Sequence, residues 1–449
     1  MNDPTPASAP RFVAWVGIDW ADEKHAVTLK VIGSTTSERR ELDNTPEAVE
    51  AWAAGLALRF AGRPVAVALE QSRGPLVCML SKYAHLVLFP VHPTSLADYR
   101  KTWRPSGAKD DPQDGDLLLD LLERHGERLR ALRPDTVETR TLQFLTEERR
   151  KLVEDRTRYA HRLSAQLKLY YPQILQWFEN LTSPLVLDFL QRWPHLAVVQ
   201  KGKPATLRRF FCQHHCRDQG KMDERLAAIA QAVEATQDAA VLRAGCAAVA
   251  VLVRLLRDLQ EAIADYDRQI DALAHAHPDY ALFDSFPGAG AALVPRLIAA
   301  LGTQRDRFAS AQEIQCCSGI APVIESSGHQ HWVHWRWACS KFLRQTFHEW
   351  AQHSIGFSDW ARAFYEHQRA RNKGHHAAVR ALAFKWIRIL FRCWQDHKPY
   401  DETVYLHALA AHQSISTRAK SPKLIGRVKK PVFTWTSCTG FNKLVGLDY

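Results

Sequence analysis

Two acids stand at the ends of short apolar runs. Asp19 closes Val16-Gly17-Ile18-Asp19, and Glu70 closes Val65-Ala66-Val67-Ala68-Leu69-Glu70. A strand buried along its length puts a terminal acid at the rim of its sheet. A lone carboxylate is costly to desolvate there and calls for a partner or a metal. Asp111 and Asp114 follow at i and i+3, on one face of a helix predicted over 112–122. Four carboxylates from two strand ends and one helical face could converge on Mg²⁺, which suits all-oxygen ligation, with Mn²⁺ as the alternative. Two such ions about 4 Å apart can clamp the attacking and leaving oxygens of a phosphodiester. Asp110, Asp116 and Asp120 crowd the same region, and any one of these acids also reads plainly as a turn, cap or solvated residue. Asp22 and Glu23 read as hairpin-turn residues.

The elements that must position these acids are legible as changes of texture. Residues 1–10 form a polar leader, expected to be disordered. An α/β domain is expected over 11–124, with strands at 12–18, 26–32, 64–69 and 85–91. Thr45-Pro46 marks the start of a helix. From Pro134 the texture is helical. Leu142, Leu145, Leu152, Tyr159, Leu163 and Tyr170 keep roughly heptad spacing, broken by Arg149 and Arg156. Val249, Leu252, Leu256, Leu259, Ile263, Tyr266, Ile270 and Leu273 repeat 3-4-3-4 without a break, as in a coiled coil. The two stretches could pair as an antiparallel hairpin or between subunits. They define a helical coiled-coil region over 134–277, with an insertion at 172–240 carrying Lys201, Lys203, Arg208 and Arg209. A mainly helical unit over 278–400 follows, then a basic tail over 401–449. That tail has no acid between Thr403 and Gly446 and seven Lys or Arg from Arg418 to Lys443.

The 449 residues carry 59 Lys+Arg against 48 Asp+Glu, a net charge of +11, which favours a polyanionic partner such as nucleic acid. With 46% hydrophobic residues, wholesale disorder is excluded. No apolar run approaches the ~18–20 residues of a membrane span, and the N-terminus lacks a signal-peptide pattern, so a cytoplasmic protein is expected. Nine irregularly spaced cysteines read as reduced thiols. Cys212, His214, His215 and Cys216 have zinc-ligand types, but no second pair stands at finger spacing, so packing thiols and surface histidines are expected.

Gly17-Ile18-Asp19, Leu69-Glu70-Gln71-Ser72 and Lys109-Asp110-Asp111-Pro112-Gln113-Asp114 together resemble the first domain of the DEDD transposases of bacterial insertion sequences (insertion sequence family 110). The resemblance assigns the family's acids to Asp19, Glu70, Asp111 and Asp114, with Asp110 the rival of Asp111. Gly115 stands where the family more often has Ala. In the second half, Phe286-Pro287-Gly288-Ala289-Gly290 resembles the family's Pro-Gly-x-Gly turn, which reads as a helix-hairpin-helix-type turn. Cys317-Ser318-Gly319-Ile320-Ala321-Pro322 and then Ser326-Ser327-Gly328 resemble its Gly-Leu-x-Pro stretch and Ser-Gly pair. The resemblance makes Ser327 the nucleophile, with Ser326 as rival. One stretch departs from the pattern: the family's basic residues are replaced by His331-Trp332-Val333-His334-Trp335-Arg336-Trp337. Bases could stack on these rings, though most are expected in a core.

The resemblance implies an α/β plus α fold. Its parts are a RuvC/ribonuclease-H-like first domain, central coiled-coil helices, and a mainly helical C-terminal domain with a helix-hairpin-helix-like turn. It implies a site-specific DNA recombinase that moves its own element. Ser327 attacks phosphorus with Mg²⁺ on the acids, a phosphoserine forms, and strands are rejoined. Partners implied are DNA at the element ends and target, a structured bridge RNA, and a homo-oligomer, dimer or tetramer, across which the site is composite. A bacterial, nucleoid-associated location follows. Two readings compete: a RuvC-like junction resolvase using metal-activated water, and a non-catalytic nucleic-acid-binding protein.

Overall fold

The computed structural model describes residues 12–103, 111–328 and 330–406. The leader expected at 1–10, Asp110 and most of the basic tail lie outside the described residues. The chain divides into two compact units, one of residues 1–136 with 281–449 and one of residues 137–280.

In the first unit, three strands form an antiparallel meander: β1 (Ala14–Asp19), β2 (Lys24–Val31) and β3 (Glu38–Asp43). Helix α1 (Pro46–Arg59) follows; Thr45 caps it by accepting from the Ala48 amide, as expected. Strand β4 (Val65–Leu69), helix α2 (Pro75–Leu80) and strand β5 (Leu86–Pro90) complete a five-stranded sheet in the order β3-β2-β1-β4-β5. Strands β4 and β5 run parallel to β1. Every residue of β4 is buried, which is why its sequence reads as a continuous apolar run. Strand β3 was not expected, because Glu38-Arg39-Arg40-Glu41-Leu42-Asp43 buries only Leu42. An edge strand of mostly exposed, charged residues carries no apolar run to read. Helices α3 (Pro93–Trp103) and α4 (Asp111–His125) follow, and α4 packs on β1, β2 and β4.

The second unit is built on two long helices, α5 (Val137–Tyr170) and, after five short ones, α11 (Ala239–His275). Thr139 bonds His277, Arg149 pairs with Asp267, and the Tyr170 ring lies against Gly245. One set of numbers rises as the other falls, so α5 and α11 run antiparallel within one chain. Of the heptad residues of α11, Val249, Leu252, Leu256, Ile263 and Ile270 are buried, while Leu259, Tyr266 and Leu273 are half-buried. The short helices are α6 (Ile174–Trp177), α7 (Pro184–Arg192), α8 (Leu196–Gln200), α9 (Pro204–Gln213) and α10 (Gln219–Gln231). With the ends of the pair they enclose an aromatic core of Tyr171, Phe178, Phe189, Trp193, Phe210 and Phe211. By length and composition α11 could cross a membrane, against the expectation from run lengths. Its Val249, Leu252, Val253 and Leu256 belong to this core.

The chain then returns to the first unit through α12 (Tyr280–Asp284), α13 (Gly290–Leu301) and α14 (Ala311–Cys317). A two-stranded ribbon, β6 (Val323–Ser327) and β7 (Gln330–His334), precedes α15 (Lys341–Ser354), α16 (Asp359–Ala370) and α17 (His375–Gln395). Trp350, Trp386 and Trp394 are fully buried among these helices. Each indole N–H has an acceptor: the Pro287 carbonyl, the Ser354 hydroxyl and the Gly302 carbonyl respectively. The connector after α4 ties the two halves of the unit together. Arg130 donates to both Glu313 oxygens and to the Arg307 carbonyl, and Asp135 accepts from the Thr303 amide.

Candidate active site

Parallel pairing of β1 with β4 sets Ile18 beside Leu69. Asp19 and Glu70 each follow one residue later, so both acids leave the same end of adjacent strands. Above them, a Cβ on Gly17 would stand 2.0 Å from the Gly115 carbonyl oxygen and 2.8 Å from the Leu119 amide nitrogen. Only glycine at 17 lets the first turns of α4 come this close to β1. Gly115 is tight too: a Cβ there would lie 3.3 Å from the Ala26 carbonyl and the Thr28 hydroxyl. The contact seats Asp114, next to Gly115, over the strand that ends in Asp19. Asp111 is the first residue of α4; its side chain lies outside the described residues.

Asp114 is 1% exposed and is gripped by Arg100 of α3, whose Nε and Nη2 donate to its two oxygens at 2.9 and 2.6 Å. Sequence reasoning missed Arg100. It is a tertiary partner from a helix of no marked pattern, and only its nearness in sequence to the acids could have hinted at it. The neighbouring acids of α4 are engaged elsewhere. Asp116 accepts from the Thr28 hydroxyl at 2.8 Å and from Arg39; Asp120 accepts from the Tyr99 hydroxyl and Arg124, both at 2.6 Å. Asp116 is thus tied to β2 and β3, and Asp120 to α3 and to the next turn of its own helix. After Asp19 the chain turns through Asp22 and Glu23, as expected, into β2. Buried His25 accepts from the Ala21 amide at Nδ1, so its proton sits on Nε2; burial lowers its pKa and keeps it neutral. No group of three or more His, Cys, Asp or Glu placed to hold a metal ion is found among the described residues.

Ser326 and Ser327 are exposed near the tip of the β6–β7 ribbon, where Gly328 takes φ +58°. Register pairs Ser327 with Gln330, Glu325 with Trp332 and Val323 with His334. Alternation therefore puts Ser327, Glu325, Trp332 and His334 on one face and Ser326 on the other. Glu325 and His334 pair at 3.4 Å on the Ser327 face. The base of the ribbon is fixed. A Cβ on Gly319 would fall 2.5 Å from the Cys339 sulfur, and Arg336 Nε donates to the Ala321 carbonyl. Burial raises the Cys317 thiol to about 12 and lowers the neighbouring Arg307 to about 10. The Phe286–Gly290 turn joins α12 to α13. A Cβ on Gly288 would press to 2.8 Å on the backbone at His353 and Ser354, so this glycine serves packing against α15; Gly290 faces open space. In the second unit, Cys212 is exposed, and His214 sits 3.2 Å from Asp188.

Two family models match the chain. Residues 16–172 match the transposases of the DEDD type found in IS110 elements, and residues 280–366 match the transposase IS116/IS110/IS902 family. The chain is 28% identical over 393 residues to the IS117 mini-circle protein of Streptomyces coelicolor, covering 86% of this chain and 95% of that one. It is 26% identical over 310 residues to a 43.6 kDa protein of insertion element IS110 from the same organism, covering 66% and 73%. It is 27% identical over 299 residues to a 42 kDa protein of IS900 from Mycobacterium paratuberculosis, covering 65% and 73%. The fold and the paired motif sets thus define a transposase, an enzyme that cuts and rejoins DNA. Within that class, the chain belongs to the DEDD transposases of the IS110 family.

Proposed function

We propose that this transposase cuts DNA by attack of Ser327 on the scissile phosphorus, with Asp19, Glu70, Asp111 and Asp114 holding divalent cation. The observation that carries this reading is the Gly17–Gly115 contact, which packs α4, the helix of Asp111 and Asp114, closely on β1, the strand that ends in Asp19 and pairs with the strand before Glu70. The strand order and the parallel β1, β4 and β5 support a RuvC/ribonuclease-H-like domain. The acids offer an all-oxygen donor set of the kind Mg²⁺ takes, and Arg100 would have to release Asp114 for it to join that set. A cation bound there supplies Lewis-acid stabilisation of charge on phosphate oxygens.

The Ser327 Oγ–P bond forms as the P–O3′ bond breaks. The serine proton passes to a base, and the departing oxygen is protonated to a 3′-hydroxyl. The phosphoserine keeps the phosphodiester's energy, so a 3′-hydroxyl from another strand can displace Oγ and reseal without ATP. The family resemblance extends the proposal to a bridge RNA that pairs with target and donor DNA, to a composite site in a dimer or tetramer, and to a location on the bacterial nucleoid. Lys201, Lys203, Arg208 and Arg209, exposed in the second unit, are the candidate backbone contacts there.

Labelled DNA carrying the element's circular junction, Mg²⁺ and RNA transcribed from the flanking non-coding DNA test the proposal on denaturing gels. A protein–DNA adduct is expected from the wild type and from Ser326→Ala. Ser327→Ala and Asp111→Ala should lower it at least about a thousandfold. Cleavage without adduct would favour metal-activated water; an adduct lost in Ser326→Ala alone would move the nucleophile to the other ribbon face.

A further inference from the structure

The aromatic stretch after β6 is not in the core. Trp332, Trp335 and Trp337 are 44%, 38% and 79% exposed, whereas core packing was expected for most of these rings. The reason is local. Trp332 lies on a ribbon with solvent along it, and Trp335 and Trp337 follow where the chain leaves β7 for α15. Solvent-facing indoles this close together are unusual on a soluble surface and mark a place where something binds.

Their surroundings say what. The Trp335 and Trp337 rings lie 6.0 Å apart, tilted by 42°, as one continuous ledge. Arg380 of α17 sits 3.4 Å from the centre of the Trp335 ring, and Arg344 of α15 sits 5.7 Å from it on a second approach. Burial and the charge of Arg344 both lower the Arg380 pKa, so these two guanidiniums repel and an anion between them is favoured. The positive strip continues on α15, where exposed Lys341 stands one turn before Arg344. The carboxylates close in sequence have partners of their own: Glu349 with Arg296 and Gln345, and Glu325 with His334. Exposed π-faces beside guanidiniums suit a planar base and its phosphate. A base stacked within a duplex has no free face to offer, so the occupant is an unpaired strand.

We propose that Trp335 and Trp337, backed by Arg344 and Arg380, form a ledge on which unpaired bases of the cut DNA strand stack. The proposal rests on the reading of Ser327 as nucleophile for its place in the reaction. Trp332, on the ribbon face that carries Ser327, lies between the serine and the ledge in sequence. A base drawn out onto the ledge fixes the phosphate next to it, and the strand is then unpaired where exchange requires it.

The test separates strand binding from cleavage. Full-length protein is titrated into a labelled twelve-nucleotide thymidine strand, its RNA counterpart and a duplex of equal length, read by fluorescence anisotropy. Trp335→Ala with Trp337→Ala should raise the Kd for the DNA strand at least about tenfold, and Trp335→Phe with Trp337→Phe should stay within about threefold of wild type. Ser327→Ala should bind as wild type, so the ledge survives even where the serine assignment fails. Circular dichroism checks the fold; Trp337→Ala alone, at a ring 79% exposed, should raise the Kd several-fold if the double variant does not fold. An unchanged Kd in the alanine variants, an equal loss on the duplex, or tenfold tighter Trp-dependent binding of the RNA strand would overturn the proposal.

Discussion

Arg100 and Asp114 are the pair on which the candidate site turns. Their side chains are 14% and 2% exposed, and both carboxylate oxygens are used. Removing one partner of a buried ion pair strands the other charge and typically costs about 3–5 kcal/mol. Arg100→Ala should therefore lower stability by about 3 kcal/mol, read as a fall in the urea midpoint. If Asp114 is a metal ligand, Mg²⁺ at millimolar concentration should recover a good part of that loss, and in Arg100→Ala Asp114→Asn it should recover almost none. A cation-independent loss would make the pair purely structural. The serine pair illustrates the same scale. Ser326 and Ser327 are chemically identical neighbours, and only the register of β6 against β7 puts them on opposite faces.

At the scale of the element, much was written in the sequence, and what was not has a physical cause. The buried strands β1, β4 and β5 and the unbroken heptads of α11 showed because burial on both faces, or along one seam, leaves a period. β3 is an edge strand of mostly exposed, charged residues and left none. The partnership of α5 with α11 was one of two open alternatives, since heptads state that a seam exists without naming its mate. The tryptophans after β6 misled because large aromatics are usually buried, and exposure depends on a ribbon whose both faces meet solvent. Arg100 was invisible because an ion pair across two helices has no spacing rule. The α5–α11 seam also makes a prediction. Leu256 is fully buried in the second unit's core and Leu259 only partly. Leu256→Ala should cost about 2–5 kcal/mol and Leu259→Ala clearly less, measured by urea unfolding of the full chain. Equal costs would mean that this core is not where the hairpin gains its stability.

At the scale of the molecule, the acids and Ser327 are separated by some two hundred residues of chain, yet both belong to one compact unit. The chain leaves that unit at Thr136 and re-enters it at Ala281, and the Arg130 and Asp135 contacts fasten the exit segment to the returning half. Charge acts over the same scale. The net charge of +11 is concentrated toward the C-terminus: Arg418, Lys420, Lys423, Arg427, Lys429, Lys430 and Lys443 occur with no acid before Asp448. Each phosphate neutralised on duplex DNA steepens the fall of log K with log salt by about 0.9. If the tail lies along phosphates, truncation after Leu406 should flatten that slope by as many as about six, and weaken binding most at low salt. The cations of Trp335's neighbours and of residues 201–209 would supply the slope that remains. A slope unchanged by truncation would place the phosphate contacts on the folded units alone, and would leave the tail's charge to act on solubility or on diffusional encounter rather than on the bound complex.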